Sequence, residues 1–463
     1  MAAPLRPIML VRPPNAILYE ESFWDELQHA GINEVALQWL CLLDDRGNEG
    51  NRYPQVEDSH QRGLAAVGGS PVRRVPVSPY PPTQKLYEGL EWRPPEMPSH
   101  LAGDAQRLRE ALQLGVAKGF KIYVTDDKGY FLAGSFGTGR LNPSAPRWSF
   151  ANPEGPSMTV ARARDMAAHF PEVSGILLDG PDFKWEIAPG HRDDMWVEVI
   201  DDDHMIRLAE RNGFTMQQIL AGRDRLYELL HGLTTHGVEE LVERYEGKPG
   251  GFTRWIDDDE ILGFFRFRAA VIEWNLCSSY AGIKTHLPKL LVGSSSRMPA
   301  LAPLTGHDLA HKRAYCDFQM PKEYWWAGGV AGMRGTLQNW VKTLVDWNPG
   351  LAPELAEQWV SVAMDIPVPA DYPVSTYDGE ATDRWFATSV RDQTMKMLAA
   401  SGGPDRFVPW VGLEHFGSNW LTPSELRRLL AEMQAQGATR YCYFVYNSVK
   451  PEIWDVITSF SRG

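Results

Sequence analysis

The chain of 463 residues has few cysteines, no long apolar segment and fewer basic than acidic residues. Its four cysteines lie far apart and form no C-x-x-C pair, which argues against a disulfide framework or a zinc ribbon. No run of about 18 apolar residues occurs, so no membrane-spanning helix is predicted. Lys and Arg number 46 against 59 Asp and Glu, and this net charge of −13 disfavours binding to nucleic acid or to an anionic membrane surface.

The sequence also lacks the motifs of several enzyme classes. No G-x-G-x-x-G or Walker A pattern follows any predicted strand, so a nucleotide-binding, doubly wound sheet is the weaker fold hypothesis. No G-x-S-x-G motif occurs, which disfavours covalent serine chemistry. His307 and His311 have helical i, i+4 spacing but lack the glutamate of H-E-x-x-H. We therefore predict no metal and no cofactor.

The first residues of the chain contain no apolar core of signal-peptide length, because proline and arginine interrupt the apolar stretch. We therefore expect a cytoplasmic protein, or a secreted one whose leader has been removed. A chain of this size is also compatible with a homodimer, although no segment marks an interface.

What the chain does contain is a regular alternation of short apolar runs and amphipathic helical segments. Such alternation predicts right-handed crossovers and a parallel sheet, and eight units are the number in a (β/α)8 barrel. We therefore predict an α/β fold, a TIM barrel that forms one catalytic domain over residues 1–463. The predicted strands are residues 8–11, 34–42, 120–125, 175–178, 290–292, 315–320, 407–411 and 440–445.

Three connecting segments are longer than a barrel needs: residues 43–100, 182–259 and 321–382. Each follows the carboxyl end of a predicted strand, which is the catalytic face of a barrel. Long loops at that face usually shape a substrate pocket. The segment 182–259 contains helical patterns of its own, and we predict it to be a helical insertion at the catalytic face.

Aromatic residues are abundant, with 17 Trp, 16 Tyr and 18 Phe. Several tryptophans, including Trp185, Trp325 and Trp326, fall in polar or Pro/Gly-rich segments. Aromatic faces on loops suit stacking against the C–H faces of sugar rings. Burial in the core is the alternative interpretation.

Carboxylates follow two of the apolar strands directly. Asp179 ends the fourth predicted strand, and Glu414 follows the seventh. Hydrolysis of a glycosidic bond needs two carboxyl groups that flank it, one to protonate the leaving oxygen and one to attack carbon or activate water. We predict Asp179 and Glu414 to be the catalytic pair, with the capping of a turn as the structural alternative for Asp179.

Other polar and aromatic side chains at the strand ends are candidates for substrate binding. Arg12 and Arg297 can hold a carboxylate through two hydrogen bonds, or pair with acids inside the protein. His415 can orient Glu414, or be a buried histidine with its bonds satisfied. The predicted substrate-binding set is Arg12, Asn15, Trp39, Asp126, Asp182, Arg297, Gln319, Lys322, Tyr324, His415 and Asn447.

Residues 151–180 resemble a segment of (β/α)8 glycoside hydrolases: an Asn-Pro turn, a helix, and a strand that ends G-I-L-L-D at Asp179. In the large clan of retaining barrel enzymes, the acid/base ends the fourth strand and the nucleophile ends the seventh. The resemblance implies these positions for Asp179 and Glu414. Where that clan usually has Asn-Glu, this chain has Leu178-Asp179, which leaves open an inverting mechanism or a smaller family such as the barrel sialidases.

The predicted function is a glycoside hydrolase that cleaves a terminal bond of a carbohydrate substrate, since long loops would close the barrel mouth into a pocket. Besides a non-catalytic carbohydrate-binding barrel, two enzymatic alternatives stay open. One is an exo-sialidase-type hydrolase with an unusual acid/base set, in which Arg12 or Arg297 holds a sugar acid. The other is a sugar isomerase or lyase on the same fold.

Overall fold

A computed structural model describes residues 5–12, 15–38, 40–44, 56–57, 73–90, 97–127, 149–196, 202–246, 248, 251–328, 331–415, 419–446 and 449–462. Within these residues, eight parallel strands close into a barrel, so the predicted (β/α)8 fold is confirmed. Each strand pairs with the next along the chain, and β8 closes on β1. The strands are β1 (Arg6–Val11), β2 (Glu34–Leu37), β3 (Lys121–Asp127), β4 (Val173–Asp179), β5 (Leu291–Arg297), β6 (Phe318–Glu323), β7 (Trp410–Gly412) and β8 (Arg440–Phe444).

Each predicted strand overlaps a barrel strand, but several predicted ends were wrong, and the largest difference at a carboxyl end besides that of β2 is in β5, which extends to Arg297 where the predicted end was residue 292. β2 stops at Leu37, because the chain then leaves the barrel and Leu42–Asp44 pairs antiparallel with Arg73–Val77. β6 begins at Phe318 and extends to Glu323, three residues beyond the predicted end. The apolar run did not predict the carboxyl end of β6, because Lys322 and Glu323 are charged residues that lie within the strand.

Helices surround the barrel, and three of them, α4 to α6, occupy much of the predicted insertion. Thr215 caps α5 and Thr422 caps α14, each in a reciprocal capping box with the residue three positions later. The helices are α1 (Glu21–His29), α2 (Ala102–Ala117), α3 (Glu154–His169), α4 (Asp203–Arg211), α5 (Met216–His231), α6 (Thr235–Tyr245), α7 (Asp259–His286), α8 (Ala302–Thr305), α9 (Leu309–Lys312), α10 (Met333–Trp347), α11 (Pro353–Ala363), α12 (Asp383–Trp385), α13 (Arg391–Ser401), α14 (Pro423–Ala435) and α15 (Pro451–Arg462).

Large and small side chains complement each other inside the barrel. Phe318 on β6 contacts the ring of Tyr123 on β3, with centroids 6.0 Å apart. Gly293 on β5 makes room for this packing, because a Cβ there would lie 2.5 Å from the Phe318 ring and 2.9 Å from Leu177. Successive residues of a strand point to opposite faces, so the neighbours of these residues face the helices. This alternation decides which side chains reach the barrel mouth.

An ion pair closes the amino-terminal end of the barrel. Arg440, the first residue of β8, donates from Nη2 to Glu34 Oε2 at 3.0 Å, and Glu34 is the first residue of β2. Both side chains are buried, and the guanidinium also lies 4.9 Å from the Phe318 ring centroid. Two buried charges at this position are tolerated because each is the other's partner.

Three of the four cysteines, Cys41, Cys316 and Cys442, are buried, and Cys277 is partly exposed; all four are free thiols. None of the helices within the described residues combines the length and the apolar character that a membrane span requires.

Arg440→Met should lower the free energy of unfolding by about 3–5 kcal/mol, because it leaves Glu34 buried without its partner. The double variant Glu34→Gln with Arg440→Met should lose clearly less. Urea unfolding at pH 7 measures both. Arg391→Met is the control, since Arg391 is half exposed in its pair with Glu432 and its loss should cost below about 1 kcal/mol. Equal losses of unfolding free energy in the single and double variants would contradict the conclusion that Arg440 compensates the buried charge of Glu34.

Candidate functional site

Four charged side chains meet at the carboxyl ends of β4, β5 and β6. Lys322 Nζ lies 2.7 Å from Asp179 Oδ1 and 3.4 Å from Asp182 Oδ2. Arg297 Nε lies 3.7 Å from the same oxygen of Asp182. The four side chains are between 10% and 16% exposed, so they are largely buried but within reach of a bound ligand. The structure thus brings together four of the residues singled out from the sequence.

Asp179, Lys322 and Asp182 belong to a closed ring of ion pairs and hydrogen bonds. Ser295 Oγ donates to Asp179 Oδ1 at 2.8 Å, and the Gly180 amide donates to the same hydroxyl at 3.1 Å. On the other side, His307 Nε2 lies 2.7 Å from Asp182 Oδ1 and Nδ1 lies 3.3 Å from Lys312 Nζ. Lys312 donates to the Ser295 carbonyl. We call this the ion-pair ring; its members are Asp179, Lys322, Asp182, His307, Lys312 and Ser295.

Burial and neighbouring charges set the protonation states within the ion-pair ring. Burial raises the pKa of Asp182, but Lys322, the hydrogen bond from His307 and Arg297 together hold it well below its usual range. Burial lowers the pKa of His307 to about 4, and the Lys312 ammonium contributes to that shift. Burial likewise lowers the pKa of Lys312 to about 8. His307 is therefore neutral at pH 7, with Nδ1 accepting from Lys312 and Nε2–H donating to Asp182.

Aromatic side chains form the walls around the ion-pair ring. The guanidinium of Arg297 lies 4.0 Å from the ring centroid of Trp185. Tyr324 stacks on Trp326 with centroids 4.5 Å apart. Gly412 at the end of β7 makes this possible, because a Cβ there would lie 2.0 Å from the Trp326 ring. The tryptophans 185, 325 and 326 are buried, so core packing explains them and the prediction of exposed sugar-stacking faces is wrong for these three.

Arg12 and Tyr324 also lie at the mouth, each in contact with Phe444. Arg12 Nε donates to the Gln38 side chain at 2.9 Å, and its guanidinium lies 4.5 Å from the Phe444 ring. Tyr324 stacks on the same ring at 5.7 Å and is buried. Arg12 thus faces the mouth from the side of β1 and β2, and Tyr324 acts as packing beneath it.

Two predicted binding residues point away from the mouth. Asp126 pairs with Arg162 of α3 at 2.5 Å, because the alternation along β3 turns it towards the helices. Gln319 follows the lumen residue Phe318, so its side chain also faces outwards and donates to the Leu309 carbonyl at 2.9 Å. The predictions for these two residues were wrong, because they counted residues near a strand end without asking which face each one takes.

Other predicted residues are only partly described. Asn15 begins a short 3-10 helix, Asn15–Tyr19, and Glu414–His415 pairs antiparallel with Asn419–Trp420 directly after β7. For Asn15, Glu414 and His415 the description covers the backbone and not the side chain. Trp39 and Asn447 lie outside the described residues.

The two histidines considered for a metal both have protein partners. His307 belongs to the ion-pair ring, and His311 Nδ1 lies 3.0 Å from Glu273 Oε1. Among the described residues, no group of three or more His, Cys, Asp or Glu side chains is arranged to hold a metal ion.

Sequence reasoning did not assign Lys312 any role and considered His307 only for a metal. Both come from the turns between β5 and β6, where α8 and α9 are four residues each and give no periodic signal. One signal was present for Ser295: its position two residues before Arg297 on β5 puts both on the lumen face.

A second buried acid lies beside the site. Glu323 ends β6, and burial raises its pKa to about 8 although the indole of Trp325 donates to Oε2 at 2.9 Å. Its other oxygen, Oε1, is buried and has no hydrogen-bond partner within the part of the chain that the structure describes. A protonated carboxyl at neutral pH follows from this environment.

The barrel is shared with solved structures of glycoside hydrolases. A β-galactosidase from the psychrophilic Marinomonas ef1 gives a TM-score of 0.50 at 10% identity, covering 99% of this chain and 59% of that one. A β-galactosidase from the haloarchaeon Halorubrum lacusprofundi gives 0.49 at 12% identity, covering 99% and 58%. An endo-β-1,4-mannanase from Thermotoga petrophila gives 0.42 at 10% identity, covering 99% and 76%.

These similarities are of fold, because the sequence identities are very low. The chain spans less than two thirds of the length of both β-galactosidase chains. No family model matches the chain, and no curated protein sequence matches it. The resemblance to (β/α)8 glycoside hydrolases inferred from residues 151–180 thus extends to the architecture of the barrel.

Glu323→Gln should change how stability depends on pH. The carboxyl binds a proton in the folded chain up to about pH 8 but in the unfolded chain only up to about pH 4.5, so wild-type stability should fall as pH rises between these values. Relative to the glutamine variant, the fall should approach about 1.4 kcal/mol per pH unit. Urea unfolding from pH 5 to 8 measures it, with Glu452→Gln on the exposed start of α15 as control. Parallel profiles for wild type and Glu323→Gln would contradict the assignment.

Proposed function

We propose that the protein is a glycoside hydrolase whose catalytic pair is Asp179 and Glu414. The observation that supports this most directly is the position of Asp179: it ends β4 at the barrel mouth, partly exposed, with Lys322 and Ser295 fixing its carboxylate. Reactive groups of barrel enzymes lie at this end of the strands. The fold that the chain shares with a solved β-galactosidase, at a TM-score of 0.50, is a second line of support.

Glu414 is the proposed partner because its backbone follows β7 directly. The Leu413 amide donates to the Phe444 carbonyl at 2.7 Å, and the antiparallel pairing of Glu414–His415 begins at the next residue. β4 and β7 are separated by two strands in the barrel, so groups beyond their ends can flank a sugar bound in the mouth.

In the proposed reaction, one carboxyl group of the pair protonates the leaving oxygen as the bond to the anomeric carbon breaks. The other either attacks that carbon, and water then displaces it from the glycosyl-enzyme ester, or removes a proton from a water that attacks the carbon directly. The net reaction adds one water across the glycosidic bond. The spacing of the two carboxyl groups would decide whether the anomeric configuration is retained or inverted.

Lys322, Asp182 and Arg297 are the proposed binding and positioning residues, and Arg12 contributes from β1. Lys322 touches both aspartates and can therefore keep their orientation constant while a substrate binds. We further propose exo-action on a terminal sugar, supported by the three long segments that follow β2, β4 and β6. Such segments suit a pocket better than an open cleft.

Asp179→Asn and Glu414→Gln should each lower kcat/KM by about 10³-fold or more on a substrate that the wild type cleaves, because each removes a group needed in the transition state. Chromogenic glycosides screen for the substrate, and NMR of the first products identifies the anomer. Asp405→Asn is the control, since Asp405 pairs with Arg6 at the amino-terminal end of the barrel. Normal activity in both active-site variants would show that the pair is wrong.

A further inference from the structure

Arg297 has a fixed and nearly buried guanidinium at the barrel mouth. It ends β5 and pairs in register with Lys322 on β6, so both lie on the lumen face beside Asp179. Trp185 supports the guanidinium at 4.0 Å, and the Arg297 side chain is 11% exposed. An arginine stacked on an indole keeps its plane and loses little freedom when a ligand binds.

The hydrogen bonds of this guanidinium are incomplete. Arg297 Nε and Nη1 are buried and have no hydrogen-bond partner among the described residues. The nearest carboxylate oxygen in that part of the chain, Asp182 Oδ2, is 3.7 Å from Nε, which is too far for a hydrogen bond. A buried cation with unmade bonds is costly, so an acceptor that reaches these donors would be bound favourably.

The acids around Arg297 already have other donors. Asp182 accepts from His307 and lies near Lys322, and Asp179 accepts from Lys322 and Ser295. Glu186 accepts from the Thr336 hydroxyl and the Ala331 amide through Oε1, whereas its Oε2 is buried and has no hydrogen-bond partner among the described residues. Among the described residues, the positive charge of Arg297 is therefore balanced without a hydrogen bond, by a long contact with Asp182, which other cations share, and by the nearby Glu186 carboxyl group.

We propose that Arg297 binds the carboxylate of a sugar acid, so that the substrate is a glycoside of an acidic sugar rather than a neutral one. This rests on the proposed function, since it names the substrate class of the same site. A guanidinium and a carboxylate form two parallel charge-assisted hydrogen bonds, which would satisfy the donors that the protein leaves unbonded. A uronic acid and a sialic acid offer the same carboxylate, and the experiment distinguishes them.

Binding of free sugars tests the site without requiring hydrolysis. Isothermal titration at pH 7 compares glucuronate and galacturonate with glucose and galactose, and includes N-acetylneuraminate. Wild type should bind one acid at least about tenfold more tightly than its neutral counterpart. Arg297→Met should lose that preference without weakening neutral sugars, and Arg297→Lys, which keeps the charge but not the paired donors, should fall between. The acid whose affinity falls more in Arg297→Met shows whether the site takes a uronic acid or a sialic acid.

Arg391→Met is the matched control, because it removes one positive charge from an exposed helix and should leave all affinities unchanged. Equal binding of acidic and neutral sugars by the wild type, or an equal loss for both in Arg297→Met, would overturn the proposal. If Arg297→Met loses binding of acids but folds poorly, Arg297→Lys becomes the decisive variant. Unchanged binding of acids by Arg297→Lys would also overturn the proposal.

Hydrolysis of matched nitrophenyl glycosides and uronides separates this inference from the proposed function. Both stand if wild type cleaves a uronide or sialoside, Asp179→Asn abolishes cleavage, and Arg297→Met lowers kcat/KM for the acidic substrate alone. Cleavage of neutral glycosides that depends on Asp179, with no binding of acids, overturns the inference and leaves the hydrolase proposal standing. Binding of acids through Arg297 without cleavage of any glycoside overturns the hydrolase proposal instead.

Discussion

Alternation along the eight closed strands is the constraint on which the rest of the structure depends. Because every second residue of a strand faces the lumen, Ser295 on β5 and Lys322 on β6 contact Asp179 from β4, and Arg297 on β5 lies beside Lys322. The same rule sends Gln319 and Asp126 to the helices, where each finds a partner outside the barrel. A few residues at the strand ends therefore decide what the mouth can bind.

Ion pairs and hydrogen bonds between charged side chains hold the residues of the barrel mouth in place. Lys322 is shared by two aspartates, and the neutral His307 links one of them to a second buried lysine. Each ionic group thus has a partner within the ion-pair ring, and such pairing is what makes the burial of several charges tolerable. Arg297 lies at the edge of the ion-pair ring, and its Nε and Nη1 have no hydrogen-bond partner among the described residues. It is therefore the residue from which the substrate class is inferred.

The barrel could be predicted from the sequence because its strands are short apolar runs that alternate with helical segments, and such runs carry their own signal. Asp179, Asp182, Arg297 and Lys322 were also within reach, since each follows or ends such a run. Lys312 and His307 were not, because they come from turns whose conformation depends on tertiary packing. The two wrongly predicted residues, Asp126 and Gln319, show a similar limit of sequence analysis. The sequence indicates how far a residue lies from a strand end, whereas the face that its side chain takes depends on the exact register of the strand.

The closed form of the ion-pair ring has an evolutionary consequence. Replacing a charged member leaves the charges of its neighbours uncompensated in a largely buried site, so a single step away from the present set is costly. Two simultaneous exchanges can restore neutrality where one cannot. Divergence of this mouth towards other ligands is therefore easier at Arg12 and Arg297, on its margin, than among the lysines and aspartates at its centre.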